Sequence, residues 1–136
     1  MLIARFDPVS NLETWQQTIS VIDNDTGSPV DLSAATITVT VEDKFGNQIL
    51  QATQANGRIT ISNPGFFTFA FSPNDMASLA SSVNDDYFDR DVDSGMVSRD
   101  YWGAQKAIEF RVGCLVTING VTTQLFVGML PLVRGL

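Results

Sequence analysis

Asp89, Asp91 and Asp93 alternate with Arg90 and Val92 ahead of Ser94 and Gly95, and Asp100 stands twelfth when counting begins at Asp89. Carboxylates at the first, third, fifth and twelfth positions are the kind of oxygen donors with which an EF-hand loop wraps a calcium ion. The pattern departs from that loop in three ways. Gly95 falls seventh rather than sixth, Asp100 is a methylene shorter than the usual bidentate Glu, and no helix signal flanks either end. A solvated acidic loop is therefore the expectation, with Ca²⁺ on Asp89, Asp91, Asp93 and Asp100 as the alternative and no other cofactor implied. Tyr87, Phe88, Tyr101 and Trp102 bracket the same run. Such rings could meet a partner protein or stack on sugars, or they could pin the loop ends onto the domain.

Other chemistry has less to build on. The chain has no His and a single Cys, which excludes a Ser-His-Asp triad, a Cys-His dyad, His-ligated zinc and an internal disulfide. Cys114 lies among Val112, Leu115 and Val116 and reads as a small apolar core residue. Glu42 and Asp43 are adjacent carboxylates. Neighbours on a strand point to opposite faces, so they do not form the facing pair that glycoside hydrolysis requires. Asn24-Asp25-Thr26 matches a glycosylation sequon, but no secretory signal accompanies it and it is expected to go unused. No glycine-rich phosphate loop occurs. The expectation is a protein that is not an enzyme.

Charge narrows the partners. Fifteen acids against eight bases give −7 over 136 residues, a poor balance for neutralising phosphates, so nucleic acid is not expected as a partner. Residues 83–100 hold six of the acids and two of the bases, so −4 of the −7 belongs to one acidic inserted loop. No apolar run approaches the roughly 18 residues that suggest a membrane span, and no membrane association is expected.

The elements that must carry these residues are strands. Residues 36–41 read Thr-Ile-Thr-Val-Thr-Val, with Ile37, Val39 and Val41 on one face. β-Branched residues alternating at period two form a half-buried strand. The same period predicts strands over 2–6, 15–22, 49–53, 58–62, 67–71, 107–118 and 121–133. Asn119-Gly120 marks a tight hairpin, and Asn63-Pro64-Gly65, Asn56-Gly57 and Phe45-Gly46-Asn47 mark further turns. One helix signal interrupts the series. Ser72 is a candidate N-cap, Pro73 suits the first turn, Asp75 follows three residues after the cap, and Met76, Leu79 and Ala80 form an apolar stripe.

The order of these segments carries a resemblance. Pro29-Val30-Asp31-Leu32-Ser33-Ala34-Ala35 runs into the strand at Thr36, and Asp43-Lys44-Phe45-Gly46-Asn47 follows it. Asn56-Gly57-Arg58-Ile59-Thr60-Ile61, the helix start Ser72-Pro73-Asn74-Asp75 and the Asn119-Gly120 hairpin come next. This order resembles β-sandwich domains of tailed-bacteriophage virion proteins, especially the N-terminal domains of baseplate and tail-fibre-attachment proteins. Ala34 stands where that family often has Gly, and the acidic insertion has no counterpart there. The resemblance implies a non-enzymatic particle component in the tail, neck or baseplate region, located in the virion after synthesis in the bacterial host cytoplasm.

The combined expectation is a single all-β domain over 1–136, an antiparallel immunoglobulin-like β-sandwich with one short helix and the long acidic loop. Residues 1–11 are expected as an N-terminal arm. Apolar residues at both chain ends (Leu2, Ile3, Phe6; Leu130, Leu132, Leu136) are expected to contact neighbouring virion proteins or further copies in a homo-oligomer. The aromatics Tyr87, Phe88, Tyr101 and Trp102 are the other candidates for partner contact. A carbohydrate-binding or Ca²⁺-dependent adhesive module is the alternative function.

Overall fold

The computed structural model describes residues 2–82 and 107–133. They form nine strands and one short helix: β1 (Leu2–Arg5), β2 (Val9–Ser10), β3 (Trp15–Ser20), β4 (Thr36–Glu42), β5 (Gln48–Thr53), β6 (Ile59–Ser62), β7 (Phe66–Phe71), α1 (Pro73–Ser82), β8 (Ile108–Ile118) and β9 (Val121–Val133). The described residues are all-β apart from α1. The larger sheet runs β1-β9-β8-β4-β5, with β2 also on β9, and the smaller runs β3-β7-β6.

Period two decides which side chains meet. Ile37, Val39 and Val41 of β4 turn inward with Phe110, Val112, Cys114 and Val116 of β8. Phe67, Phe69 and Phe71 of β7 face them from the smaller sheet, and all these residues belong to one buried cluster. Trp15 on β3 stacks on Phe71 at 5.8 Å and meets Phe69 edge-on at 5.1 Å. The outward positions carry hydroxyls instead. Thr18 and Thr68, opposite each other on β3 and β7, are hydrogen-bonded at 2.9 Å. The hairpin between β8 and β9 closes through Asn119 (φ 51°) and Gly120 (φ 78°), the left-handed pair that a two-residue turn of matching twist requires.

The helix begins as its sequence indicates. The Asp75 N–H donates to Ser72 Oγ at 3.2 Å, and the Ser72 N–H donates to Asp75 Oδ2 at 3.0 Å, so each satisfies a free amide of the other. Met76 and Leu79 are buried, and the helix lies against β5 and β7.

Two expectations change. The large sheet is mixed, because β1 and β2 both run parallel to β9, where an antiparallel arrangement was expected. Residues 2–10 are also not a free arm. They supply two strands to the chain's own sheet, with Leu2 opposite Phe126 and Ser10 opposite Val133. Gly128 makes this possible. A Cβ there would lie 2.6 Å from the Ala4 carbonyl oxygen and 3.1 Å from Cε2 of Phe6, so only glycine lets β1 approach β9 this closely.

Candidate docking surface

Two sheets that share a core leave two lateral openings between them, and the chain treats these differently. On the side where β5 and β6 are the last strands, α1 lies against β5 and β7, and its Asp75 pairs with Arg58 just before β6. On the other side, β1 is the last strand of the large sheet and β3 the last of the small one. Neither pairs through its outer edge with another strand among the described residues.

Between these two edges runs a groove of about 740 Å³. Leu2, Ala4 and Phe6 line one wall, Ile19 and Val21 the other, and Val116, Ile118 and Leu125 form much of the floor. The wall alternates because residues 2, 4 and 6 share one face of β1. Leu2 is 66 % exposed, Ile22 54 % and Val121 67 %, so the rim is apolar as well as the interior. An apolar groove bordered by exposed apolar residues is a candidate contact surface.

The floor is shaped by a bulge. Cys114 faces Phe126 and Leu115 faces Gln124, leaving Leu125 as an extra residue on β9. Gln124 repairs the interrupted ladder: its Nε2 donates to the Cys114 carbonyl at 3.0 Å and to the Phe126 carbonyl at 2.9 Å. Phe6 anchors the inner end, edge-on to Trp15 at 5.2 Å and to Phe126 at 5.9 Å. The buried Trp15 indole N–H has no hydrogen-bond acceptor among the described residues, and the rings of Phe6, Phe69 and Phe71 pack around the indole.

Of the expected contact residues, Leu2 and Ile3 are well exposed, Ile3 at 76 % on the outer face of β1, and Phe6 is half-buried in the groove wall. Leu130 and Leu132 are corrections. Both are fully buried, because the inward set of β9 continues through Phe126, Gly128, Leu130 and Leu132 opposite Cys114, Val112, Phe110 and Ile108. They fill this chain's own core and offer nothing to a partner. Asp89, Asp91, Asp93 and Asp100, the aromatics Tyr87, Phe88, Tyr101 and Trp102, and Leu136 lie outside the described residues.

The remaining chemistry is structural. Burial pushes the Cys114 thiol up to about 12, so it stays a protonated thiol at physiological pH. Glu42 ends β4 opposite Arg111. Asp43 belongs to the next turn, where its Oδ1 accepts the Phe45 N–H at 2.8 Å and the Asn47 N–H at 2.9 Å. Those donors, the Asn47 amide foremost, hold its carboxyl below the usual carboxylate range. Among the described residues no three acidic or cysteine side chains converge into a metal site.

Sequence reasoning missed the Phe45 side chain. The turn at 43–47 was legible, but its tip carries the most exposed large apolar residue among those described, at 78 %. Lys44 Nζ lies over its ring at 5.2 Å. The available signal was an aromatic residue at the centre of a turn, where burial is impossible.

No protein family matches the chain, and no curated protein is significantly similar to it.

Proposed function

We propose that the chain is a non-enzymatic assembly module, a structural component of a phage-like particle in the tail, neck or baseplate region, built as an immunoglobulin-like β-sandwich. Strand order supports the fold. Taking β3 to β9 as strands B, C, C′, D, E, F and G gives B-E-D in one sheet and G-F-C-C′ in the other, the division found in variable-type immunoglobulin domains. No C″ strand follows C′ among the described residues, and the first strand lies beside G rather than beside B.

The place of the first strand carries the functional reading. Among the described residues no strand lies beside β3, and the apolar lining of the lateral opening lies between two strand edges that no other described strand pairs. Natural sheets protect such edges or use them for partners. The absence of His agrees with a role in contact rather than turnover. The particle itself is supported by the resemblance of the segment order. The Ca²⁺- or glycan-binding alternative rests on residues 83–102, which lie outside the described residues.

The test is the composition of the particles. Antibody against this chain, applied to particles released on host lysis and purified on a density gradient, is expected to find it at fixed stoichiometry. Recovery of the chain only in the soluble fraction overturns the reading.

A further inference from the structure

Two Asn-Gly pairs close turns in this chain, Asn56-Gly57 and Asn119-Gly120, and the fold holds them in opposite ways. Both asparagines are exposed, so access of water does not separate them. The first pair is tied down. Asn56 Oδ1 accepts the Thr53 N–H at 3.0 Å and the Arg58 N–H at 3.1 Å, and Asn56 Nδ2 donates to the Gln51 carbonyl at 2.8 Å. The Gly57 N–H donates to the Gln54 carbonyl at 3.2 Å. At the second pair, neither the Asn119 side chain nor the Gly120 N–H has a hydrogen-bond partner among the described residues.

The backbone of the second pair adds to this freedom. Asn119 (φ 51°) and Gly120 (φ 78°) form one of the two turn types that close a two-residue hairpin. Flipping the peptide between them gives the other type, in which Asn119 keeps a positive φ and its ψ turns to roughly −120°. Glycine at 120 accepts either sign of φ, and the flip breaks no hydrogen bond among the described residues. The flipped turn is strained for a residue with a side chain, so it is visited rather than held. At that ψ the Gly120 nitrogen eclipses the Asn119 Cβ, which brings Cγ within reach of it, the geometry a ring closure needs. Asn56 has no such route. Turning its peptide breaks the Gly57 bond to Gln54, and its side chain must first leave three partners.

We infer that Asn119 is a site of spontaneous deamidation, and that the fold shields Asn56 from the same reaction. The Gly120 nitrogen gives its proton to base and attacks Asn119 Cγ. The new N–C bond closes a five-membered succinimide, the Cγ–Nδ2 bond breaks, and Nδ2 takes up a proton and leaves as ammonia. Water then opens the ring at Cγ to give aspartate, or at the main-chain carbonyl to give isoaspartate, whose backbone carries an extra methylene. Either product places a carboxylate at the hairpin tip, next to Ile118 and Val121, which line the groove. This modification is independent of the assembly reading.

The test follows both asparagines in one sample. The folded chain is held in mildly alkaline buffer, and samples are taken over time and digested with trypsin. Cleavage after Lys44, Arg58, Arg111 and Arg134 leaves Asn56 on peptide 45–58 and Asn119 on peptide 112–134. Mass spectrometry reads the conversion of amide to acid at each, and chromatography separates the aspartate and isoaspartate forms. A parallel sample is unfolded in urea. In the folded chain Asn119 is expected to convert several-fold faster than Asn56. In urea, where only the shared Asn-Gly sequence remains, the two rates are expected to come together. Folded Asn119 that stays intact, folded Asn56 that keeps pace with it, or a rate difference that persists undiminished in urea each overturns the inference.

Discussion

The two lateral sides of this molecule are built on opposite principles. On the closed side, α1 lies against β5 and β7, and several polar side chains there are paired within the chain. Arg58 grips Asp75 through Nε at 3.0 Å and Nη2 at 2.6 Å, and Asp75 also accepts the Ser72 amide at 3.0 Å. Gln54 extends the sheet with its side chain, accepting from the Ile37 N–H at 2.9 Å and donating to the Ala35 carbonyl at 2.7 Å. On the open side, Leu2, Ile22 and Val121 project into solvent around an apolar groove. One side is completed within the chain, and the other has the composition of a surface completed by something else. Both sides sit on the same core, so the contrast isolates what folding requires from what contact requires.

The largest expected effect comes from breaking the one link that makes the open side rigid. Gly128→Val places a Cβ against the Ala4 carbonyl oxygen, where 2.6 Å is available. Backbone cannot yield as a side-chain tip can, so β1 must leave β9. The expected cost is about 3 kcal/mol, at the upper end for an overpacked site, read by chemical denaturation. Hydrogen exchange should lose protection over residues 2–5 while α1 keeps its own. Loss of protection in α1 alongside β1 would mean that the two sides are not independent.

How much of this contrast could be read beforehand differs between the sides. The closed side is written in local code: Ser72, Pro73 and Asp75 specify the helix start, and Met76 and Leu79 its buried stripe, all within one turn or two of each other. The central strands were equally legible, because Ile37, Val39 and Val41 alternate with threonines and no tertiary contact overrides them. The open side depends on separations that no local pattern encodes. Leu2 meets Phe126, and the direction of that pairing follows from three-dimensional placement rather than from residue type. Two residues, Val9 and Ser10, are too few for a periodic signal. Leu130 and Leu132 were misread because apolar chain ends suggested exposure, whereas the alternation through Phe126 and Gly128 already placed them inward. Gly128 within an apolar strand was itself an unread signal of close backbone approach. The groove gathers its lining from several distant segments and has no sequence signature at all.

A smaller effect sharpens the closed side. Asp75→Ala leaves the Ser72 cap in place but removes the carboxylate that accepts the Ser72 amide and pairs with Arg58, and about 2 kcal/mol of stability should go with these contacts near neutral pH. The charge makes this loss pH-dependent. The Arg58 guanidinium, with help from the Ser72 amide, holds the Asp75 carboxyl below its ordinary value of 3.8. A lowered folded-state pKa stabilises the fold above the ordinary value, and that contribution disappears as pH falls through the lower one. The wild type and Asp75→Ala should therefore converge in stability as the solution is acidified below about pH 4. Denaturation curves that stay parallel through this range would show that the carboxylate charge does not contribute.

The smallest effect is the most informative about the open side. Leu2→Ser removes an apolar side chain that is 66 % exposed, and in the isolated chain its stability cost should be within about 0.5 kcal/mol, as for ordinary surface positions. A leucine buried in the chain's own core would cost several times more on truncation. The near-neutrality matters because Leu2 is a poor residue for a solvated strand edge, where lysine or proline would guard against unwanted pairing. On the proposed assembly reading, contact with a second surface accounts for a residue that contributes little to folding and still exposes apolar area. Denaturation at low protein concentration, where self-association is negligible, measures the folding contribution alone. A cost above about 1 kcal/mol there would place Leu2 among the buried positions and close the side that the comparison treats as open.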